Sequence, residues 1–389
     1  MNSTLGKERI EIIDVIRGIA LLGVLIVNMR FFNTSLLAIS LHVDHWTGFW
    51  DRLVNIFEDT FIVGKFISIF SFLFGFGMIM IRDNALANGR NFVPQFTRRL
   101  LTLMVFGLIH GLLIWFGDIL FHYALLGLLL MLFARCKSKT LLTWSIILLS
   151  LLPVFILLTN SQGSFPVSAE LEQIIAIHNS TYGEGPYSLL AVQRINDWIG
   201  SVLNQIVFYP QLLGMFLLGG YFAKRKLFHN IPGNKPLILK LCGWTFILFT
   251  GLTALTFLPH KKWADLAMIT SWPIGAVFYM TLIALLFELK RCKSWLRPFA
   301  YIGKMAFTNY IMQSVIGTLI FYSYGLGLFG KVGHAAGLLI SLVIFATQIV
   351  CSQLWLKKFR MGPLEWIWRA LTYLKFLPFK KQETKTLGV

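Results

Sequence analysis

The sequence predicts an all-α, polytopic integral membrane protein with about ten transmembrane helices and both termini in the cytoplasm. Three observations predict it. Of the 389 residues, 56% are apolar and only 13% are charged, against about 25% charged in soluble domains; mean hydropathy is +0.70. Apolar runs long enough to cross a bilayer recur with charged residues between them, and runs such as Leu141 to Leu158 lack the polar face at period 3.6 that a soluble helix keeps. Lys and Arg alternate between the two sets of loops.

The spans fall at roughly 11–33, 60–81, 98–116, 118–134, 140–159, 200–223, 237–259, 266–289, 299–323 and 335–356, most near the ~20 residues that a crossing helix needs. The first is expected to be retained, because it lacks a small-residue cleavage site and further spans follow. The fourth is short, and Gly117-Asp118 makes the turn before it tight. Segments 34–59 and 160–199 are extracytoplasmic loops. The second contains "PVSAELEQIIAIH", a short surface helix with Ser168 near its N-cap, and then the turn "YGEGPY". Segment 357–389 forms a cytoplasmic interfacial helix and a basic tail. Trp366 and Trp368 suit the headgroup layer, and Glu365 and Arg369 stand as an i,i+4 pair. No internal repeat is visible, so 1–389 reads as a single transmembrane domain.

A net charge of +18 in a soluble protein would point to nucleic acid. Here its distribution assigns it to the membrane. Of the 35 Lys and Arg residues, 26 fall in the loops on the side of the termini, while the opposite loops hold only Arg52, Arg194, Lys261, Lys262 and Lys331. That asymmetry places the termini in the cytoplasm and excludes a nucleic-acid partner. Cys136, Cys242, Cys292 and Cys351 all fall near cytoplasmic helix ends, so no disulfide is expected, and no spacing predicts a metal site.

Charges and amides inside a span cost about 2.5–3.5 kcal/mol each on insertion scales and therefore face protein or water. Asp14 and Arg17 lie one turn apart at the cytoplasmic end of span one, as an interfacial ion pair or as the rim of a phosphate-binding entrance, with Gly18 beside them allowing close helix contact. Asn28 lies roughly 16 Å farther along the axis, and Arg30 follows near the outer surface. Lys65 begins span two, as an anchor or a pocket cation. In "RRLLTLMVFGLIHGLLIWFGDILFHYALLG", Arg98 and Arg99 mark the cytoplasmic entrance and His110 lies roughly 16 Å inward. Gly107 and Gly111 open room beside that imidazole, which accepts a proton at neutral pH. Asp118 fits an N-cap of span four and shares a face with His122. Thr308, Asn309, Tyr310, Gln313 and Ser314 bring five hydrogen-bonding groups to span nine, read as the lining of a cavity.

The segments "RIEIIDVIRGIALLGVLIVN", "FISIFSFLFGFG", "RRLLTLMVFGLIHGLLIWFGDIL", "IGKMAFTNYIMQS" and "FRMGPLEWIWR" together resemble the YeiB-like family, a domain of unknown function. The first, with its D-x-x-RG followed by an Asn, is also similar to the heparan glucosaminide acetyltransferase family. That second resemblance implies acyl transfer across a membrane, from cytoplasmic acyl-coenzyme A to an outer acceptor, with a His as base or acyl carrier and an Asn close to it. Asn28 matches the Asn. The His corresponds to His45 or its neighbourhood in the acetyltransferase pattern and to His110 in the YeiB-like "HG" stretch; His110 is preferred.

The expected site follows. His110, Asn28, Asn309 and Asp118 form the reaction centre; Asp14, Arg17, Arg98 and Arg99 hold the acyl-CoA donor; Lys65, Arg30, Gln313 and His45 bind a small-molecule or glycan acceptor. No metal is expected. The setting is a bacterial plasma membrane, with lipid as neighbour, and a homodimer fits the resemblance and the glycine-rich faces. Two other readings stay open: a carrier or exporter of a lipid or small amphiphile, and a non-enzymatic scaffold whose polar groups only lock helices together.

Overall fold

The structure, a computed structural model, describes residues 10–41, 43–159 and 168–381. His42, the start of the second outer segment at 160–167 and the end of the basic tail at 382–389 lie outside the described residues. Helix α1 (Glu11–Asn33) is followed by α2 (Leu36–Ser40) and α3 (Phe49–Phe57), which runs through a wide π turn at Glu58–Ile62 toward α4 (Lys65–Ala87). Helix α5 (Phe92–Ile109) also ends in a π turn, His110–Ile114, before α6 (Leu120–Leu130) and α7 (Ser138–Leu158). Then come α8 (Ala169–Gly183), α9 (Tyr187–Gln205), α10 (Tyr209–Lys224), α11 (Ile231–Leu255) and α12 (Lys261–Glu288). The chain continues through α13 (Lys290–Lys304), α14 (Ala306–Phe321), α15 (His334–Lys358) and α16 (Pro363–Tyr373).

Among the described residues, eight helical stretches are long and apolar enough to cross a membrane, and Leu120–Phe133 and Ala306–Phe321 are shorter apolar helices. The protein is therefore an all-α polytopic membrane protein. Its lipid-facing surface shows where helices carry large apolar side chains outward, as at Ile146 and Phe155 on α7 and Trp244 and Ile247 on α11.

Close backbone approach sets the packing. A Cβ on Gly18 would lie 2.0 Å from Phe299 O, and one on Gly303 would lie 1.8 Å from Asp14 O. Helices α1 and α13 thus press backbone to backbone at two points that only glycine admits, the small-residue logic of membrane helix pairs. Two cores result. One joins α4, α10 and α12 through Phe72, Phe76, Phe216 and Met280. The other joins the outer half of α1 to α14 and α15 through Leu25, Phe32, Phe321 and Phe345, and includes Trp115 and Tyr182.

The expected ninth span at 299–323 is two helices rather than one. Helix α13 stops at Lys304, and α14 starts afresh at Ala306. The cause is Glu365 on α16. Its Oε1 accepts from Phe307 N at 2.8 Å and Thr308 N at 3.0 Å, and its Oε2 accepts from Thr308 Oγ1 at 2.5 Å. These N–H groups find a carboxylate instead of the preceding turn's carbonyls, so a new helix is capped there. Glu365 therefore serves as an N-terminal cap for α14, not as the expected partner of Arg369. Ser168 does cap the outer helix α8 as expected, accepting from Leu171 N at 3.3 Å.

Candidate functional site

His110 sits where α5 gives way to its π turn, and turns of this kind recur at functional sites. Gly107, one turn earlier, has no side chain because Asp118 occupies the space: a Cβ there would lie 2.8 Å from Asp118 Oδ2 and 2.4 Å from Phe121 N. The segment Trp115–Ile119 then brings Asp118 back beside the imidazole. His110 Nδ1 and Asp118 Oδ1 are 2.8 Å apart, with both side chains buried. With Nδ1 directed at that oxygen, Nε2 is the ring nitrogen turned away from Asp118. Nε2 is buried and has no hydrogen-bond partner among the described residues. The other Asp118 oxygen accepts from Phe121 N at 2.7 Å, which caps the first turn of α6. A carboxylate fixed at both oxygens holds an imidazole in one tautomer and one orientation.

Aromatic rings enclose the pair. The Tyr310 ring from α14 lies 5.2 Å from the His110 ring and its hydroxyl donates to Gly117 O at 3.4 Å. Trp115 lies 6.1 Å from His110 and 4.3 Å from Phe32 of α1, and its indole Nε1 is buried without a partner. On the outer side, burial raises the Tyr182 hydroxyl above the usual tyrosine range. It donates to Asp197 Oδ2 at 2.7 Å.

The structure redistributes the predicted residues. His110 and Asp118 meet. His122 lies within electrostatic range of Asp118 but makes its hydrogen bond elsewhere, its Nδ1 2.8 Å from the Tyr209 hydroxyl of α10. Asn28 is half-buried and makes no side-chain hydrogen bond among the described residues; Phe32, one turn on, is the α1 residue that reaches the Trp115 wall. Asn309 turns to α15, its Nδ2 donating to Ser352 Oγ at 2.9 Å while its carbonyl accepts from Gln348 Nε2 at 3.0 Å. Gln313 follows it, donating to Gln348 Oε1 at 2.9 Å. These amides join α14 to α15 and do not line a cavity around His110. Successive helix residues point about 100° apart, so Asn309 and Tyr310 cannot both face the imidazole, and Tyr310 does.

At the outer mouth, Arg30 and Asp59 form a 2.7 Å ion pair, and the buried Lys65 donates to Asp59 O at 3.0 Å. Beside them is a small cavity, about 10 Å³, lined by Arg30, Asn33, Glu58 and His334 among others, with room for about one water. His45 is exposed and makes no hydrogen bond among the described residues, while its neighbour Asp44 pairs with His334 at 3.1 Å.

At the cytoplasmic end the Asp14–Arg17 pair forms at 3.0 Å, and Arg17 also donates to Gly303 O at 3.3 Å, across the α1–α13 contact. Arg98 donates to Thr372 O at 3.0 Å; Arg99 stacks 3.5 Å over Trp368, whose indole donates to Arg99 O at 2.9 Å. Both arginines dock α16 against α5. Arg99 nonetheless lies within electrostatic range of Arg17 and Arg369, so three guanidinium groups gather at this end. No group of three or more His, Cys, Asp or Glu suited to a metal ion occurs among the described residues.

Sequence reasoning missed Trp115, Tyr182, Asp197 and the packing role of Phe32. None carried a spacing signal, because each reaches the site from a distant segment. Tyr310 did stand in a recognised polar stretch.

Comparison with known proteins places the chain among relatives of similar length. The family model described as "Protein of unknown function (DUF418)" matches residues 222–375. The chain is 39% identical to the uncharacterized protein YxaH of Bacillus subtilis, over 98% of each chain. It is 28% identical to an uncharacterized 39.9 kDa protein from the amylase 3' region of Bacillus acidopullulyticus, over 95% of this chain and 96% of the other. It is 30% identical to the uncharacterized protein YeiB of Escherichia coli, over 94% of this chain and 96% of the other.

Proposed function

The chain belongs to the YeiB-like family of membrane proteins, and from that premise we propose that it is an acyltransferase of the bacterial plasma membrane. It moves an acyl group from cytoplasmic acyl-coenzyme A to an acceptor on the outer side. The observation that carries the reading is the buried His110–Asp118 pair with His110 Nε2 left bare. A general base needs an oriented ring and a nitrogen without a competing partner; the Asp118 contact orients the ring, and the unpartnered Nε2 supports the role.

In this reading Nε2 takes the proton of the acceptor hydroxyl or amine. The acceptor's oxygen or nitrogen bonds to the thioester carbonyl carbon, the carbon–sulfur bond breaks, and the proton returns from His110 to the departing thiolate. Asp118 stabilises the transient imidazolium. The unpartnered Trp115 Nε1–H, in the wall beside the imidazole, is a donor for the negative oxygen that develops on the carbonyl. Arg17, Arg99 and Arg369 supply the cationic cytoplasmic end that a phosphate-rich donor needs, since guanidinium forks match phosphate. Asn309 and Gln313 act as helix glue and drop out of the chemistry.

The test is direct. Purified protein in lipid nanodiscs receives radiolabelled acetyl-coenzyme A and a bacterial envelope extract, and label in acceptor or protein is counted. His110→Gln keeps a hydrogen bond to Asp118 but has no basic nitrogen, so transfer should fall by about 10³-fold or more. Equal labelling by wild type and His110→Gln, or no labelling by wild type, overturns the reading.

A further inference from the structure

Arg194 on α9 is 2% exposed and among the largest fully buried side chains of the protein. A buried guanidinium needs partners for its five N–H groups and a counter-charge. Its Nε donates to Leu112 O at 2.9 Å, inside the π turn that carries His110. Its Nη2 reaches Tyr187 Oη at 3.5 Å. Its Nη1 is buried and has no partner among the described residues, and no carboxylate bridges it there. Asp197, one turn along the same helix, is already committed: one oxygen holds the Tyr182 hydroxyl and the other holds Gln193 Nε2 at 3.0 Å.

A second orphan stands close by. Tyr322, just beyond α14, is fully buried, and its hydroxyl has no partner among the described residues. Aromatic contacts bring it round to Arg194. Tyr322 packs on Tyr324 at 5.8 Å, Tyr324 on Tyr187 at 6.0 Å, and the Tyr187 ring faces the Arg194 guanidinium at 5.7 Å. The Tyr322 hydroxyl also lies within electrostatic range of both Arg194 and the Asp197 carboxylate. A buried guanidinium nitrogen and a buried hydroxyl, each without a hydrogen-bond partner among the described residues, cost stability when left bare. One oxyanion relieves both, by accepting two hydrogen bonds and supplying the missing charge.

We propose that Arg194 Nη1 and Tyr322 Oη form an oxyanion-binding subsite, and that the acceptor is an anionic molecule whose carboxylate or phosphate docks there. The use of this subsite rests on the acyl-transfer reading; its affinity for anions does not. The Arg194–Leu112 bond ties the subsite to the turn bearing His110, so a bound anion holds its own nucleophile in register with the base. By the charge reading of the loops, α8, α9 and the 322–333 segment meet on the outer side, opposite the cytoplasmic arginines. Donor and acceptor would then each meet guanidinium from opposite faces of the membrane.

The experiment measures thermal unfolding of the full chain in detergent with three probes: glucuronate, glucose 6-phosphate and neutral glucose. At saturation, at least one anion should raise the wild-type midpoint by about 3 °C or more, and glucose should not. Arg194→Gln and Tyr322→Phe should each abolish the rise. Tyr322→Phe is the fold-safe variant, because the lost hydroxyl leaves no partner behind. A shift with glucuronate alone assigns a carboxylate acceptor, with glucose 6-phosphate alone a phosphate acceptor, and with both an oxyanion of either kind. No anion shift in wild type, an equal shift with glucose, or a shift that survives in both variants overturns the proposal. The two proposals fail separately: anion stabilisation without labelled transfer removes only the acyltransferase, whereas transfer to a neutral acceptor without anion stabilisation removes only this subsite.

Discussion

Two buried polar regions lie within the same helical bundle and differ in one respect. Between α14 and α15, Asn309, Gln313, Gln348 and Ser352 bond to one another and to a backbone carbonyl, leaving Gln313 Oε1 over. Around the Trp115 turn, His110 Nε2, Trp115 Nε1, Arg194 Nη1 and the Tyr322 hydroxyl are all buried and have no partner among the described residues. The first region is nearly closed as a hydrogen-bond account, and it fastens two helices. The second is open, and each open atom lowers stability unless something occupies it. Polar residues in a membrane protein are therefore sorted by what they leave unsatisfied.

The sharpest way to break the contrast is Asp118→Ala. It strips His110 Nδ1 of its acceptor and α6 of its cap, so labelled transfer should fall by about 10³-fold or more and unfolding should cost about 3 kcal/mol less. If transfer falls less than tenfold while the protein stays folded, the open region is not the reaction centre. Next comes Gln348→Leu in the closed region. Removing it unpairs Gln313 and the Asn309 carbonyl, with a stability loss of about 1–2 kcal/mol and transfer within twofold of wild type. Loss of transfer without loss of stability would return the amides to the chemistry. Glu365→Ala should cost about 1 kcal/mol by uncapping α14, seen as a lower midpoint and as faster proteolysis of the α16 segment.

The smallest expected effect concerns pH. Tyr182 has its hydroxyl raised by burial from an ordinary value of 10.0, so the folded state holds that proton more tightly than the unfolded chain. Its stabilisation is complete below about pH 10 and is lost as the pH rises above that value. The unfolding midpoint of wild type should therefore fall more steeply above pH 10 than that of Tyr182→Phe. Parallel curves would mean that the hydroxyl is open to solvent.

Much of the fold was legible because its signals are local. Eight of the ten expected spans fall on helices long and apolar enough to cross a membrane, the fourth and ninth fall on shorter apolar helices, and the three-residue spacing of Asp14 and Arg17 correctly made them a pair. The break at Met305 was not legible: "AYIGKMAFTNYIM" continues smoothly as one apolar run, and the carboxylate that interrupts it arrives from Glu365, far along the chain. Within the site, His110 and Asp118 could be named from their segment, but nothing in it showed that the Asp118 carboxylate turns to His110. The i,i+4 rule that favours Asp118–His122 assumes one continuous helix, and Asp118 lies in the turn ahead of α6, with its side chain folded back on α5. Arg194 looked like one more outer-loop charge, since nothing in "AVQRINDWIG" reveals that its guanidinium ends up buried.

The sequence by itself determined the medium, the apolar helices and the segments in which basic residues collect, because hydropathy and charge act on each segment independently of its neighbours. Only the tertiary structure decided which polar groups meet. A helix fixes directions along its own axis but not the face that its neighbours present. Whether a buried histidine, arginine or amide is satisfied or left open therefore depends on atoms delivered by remote parts of the chain.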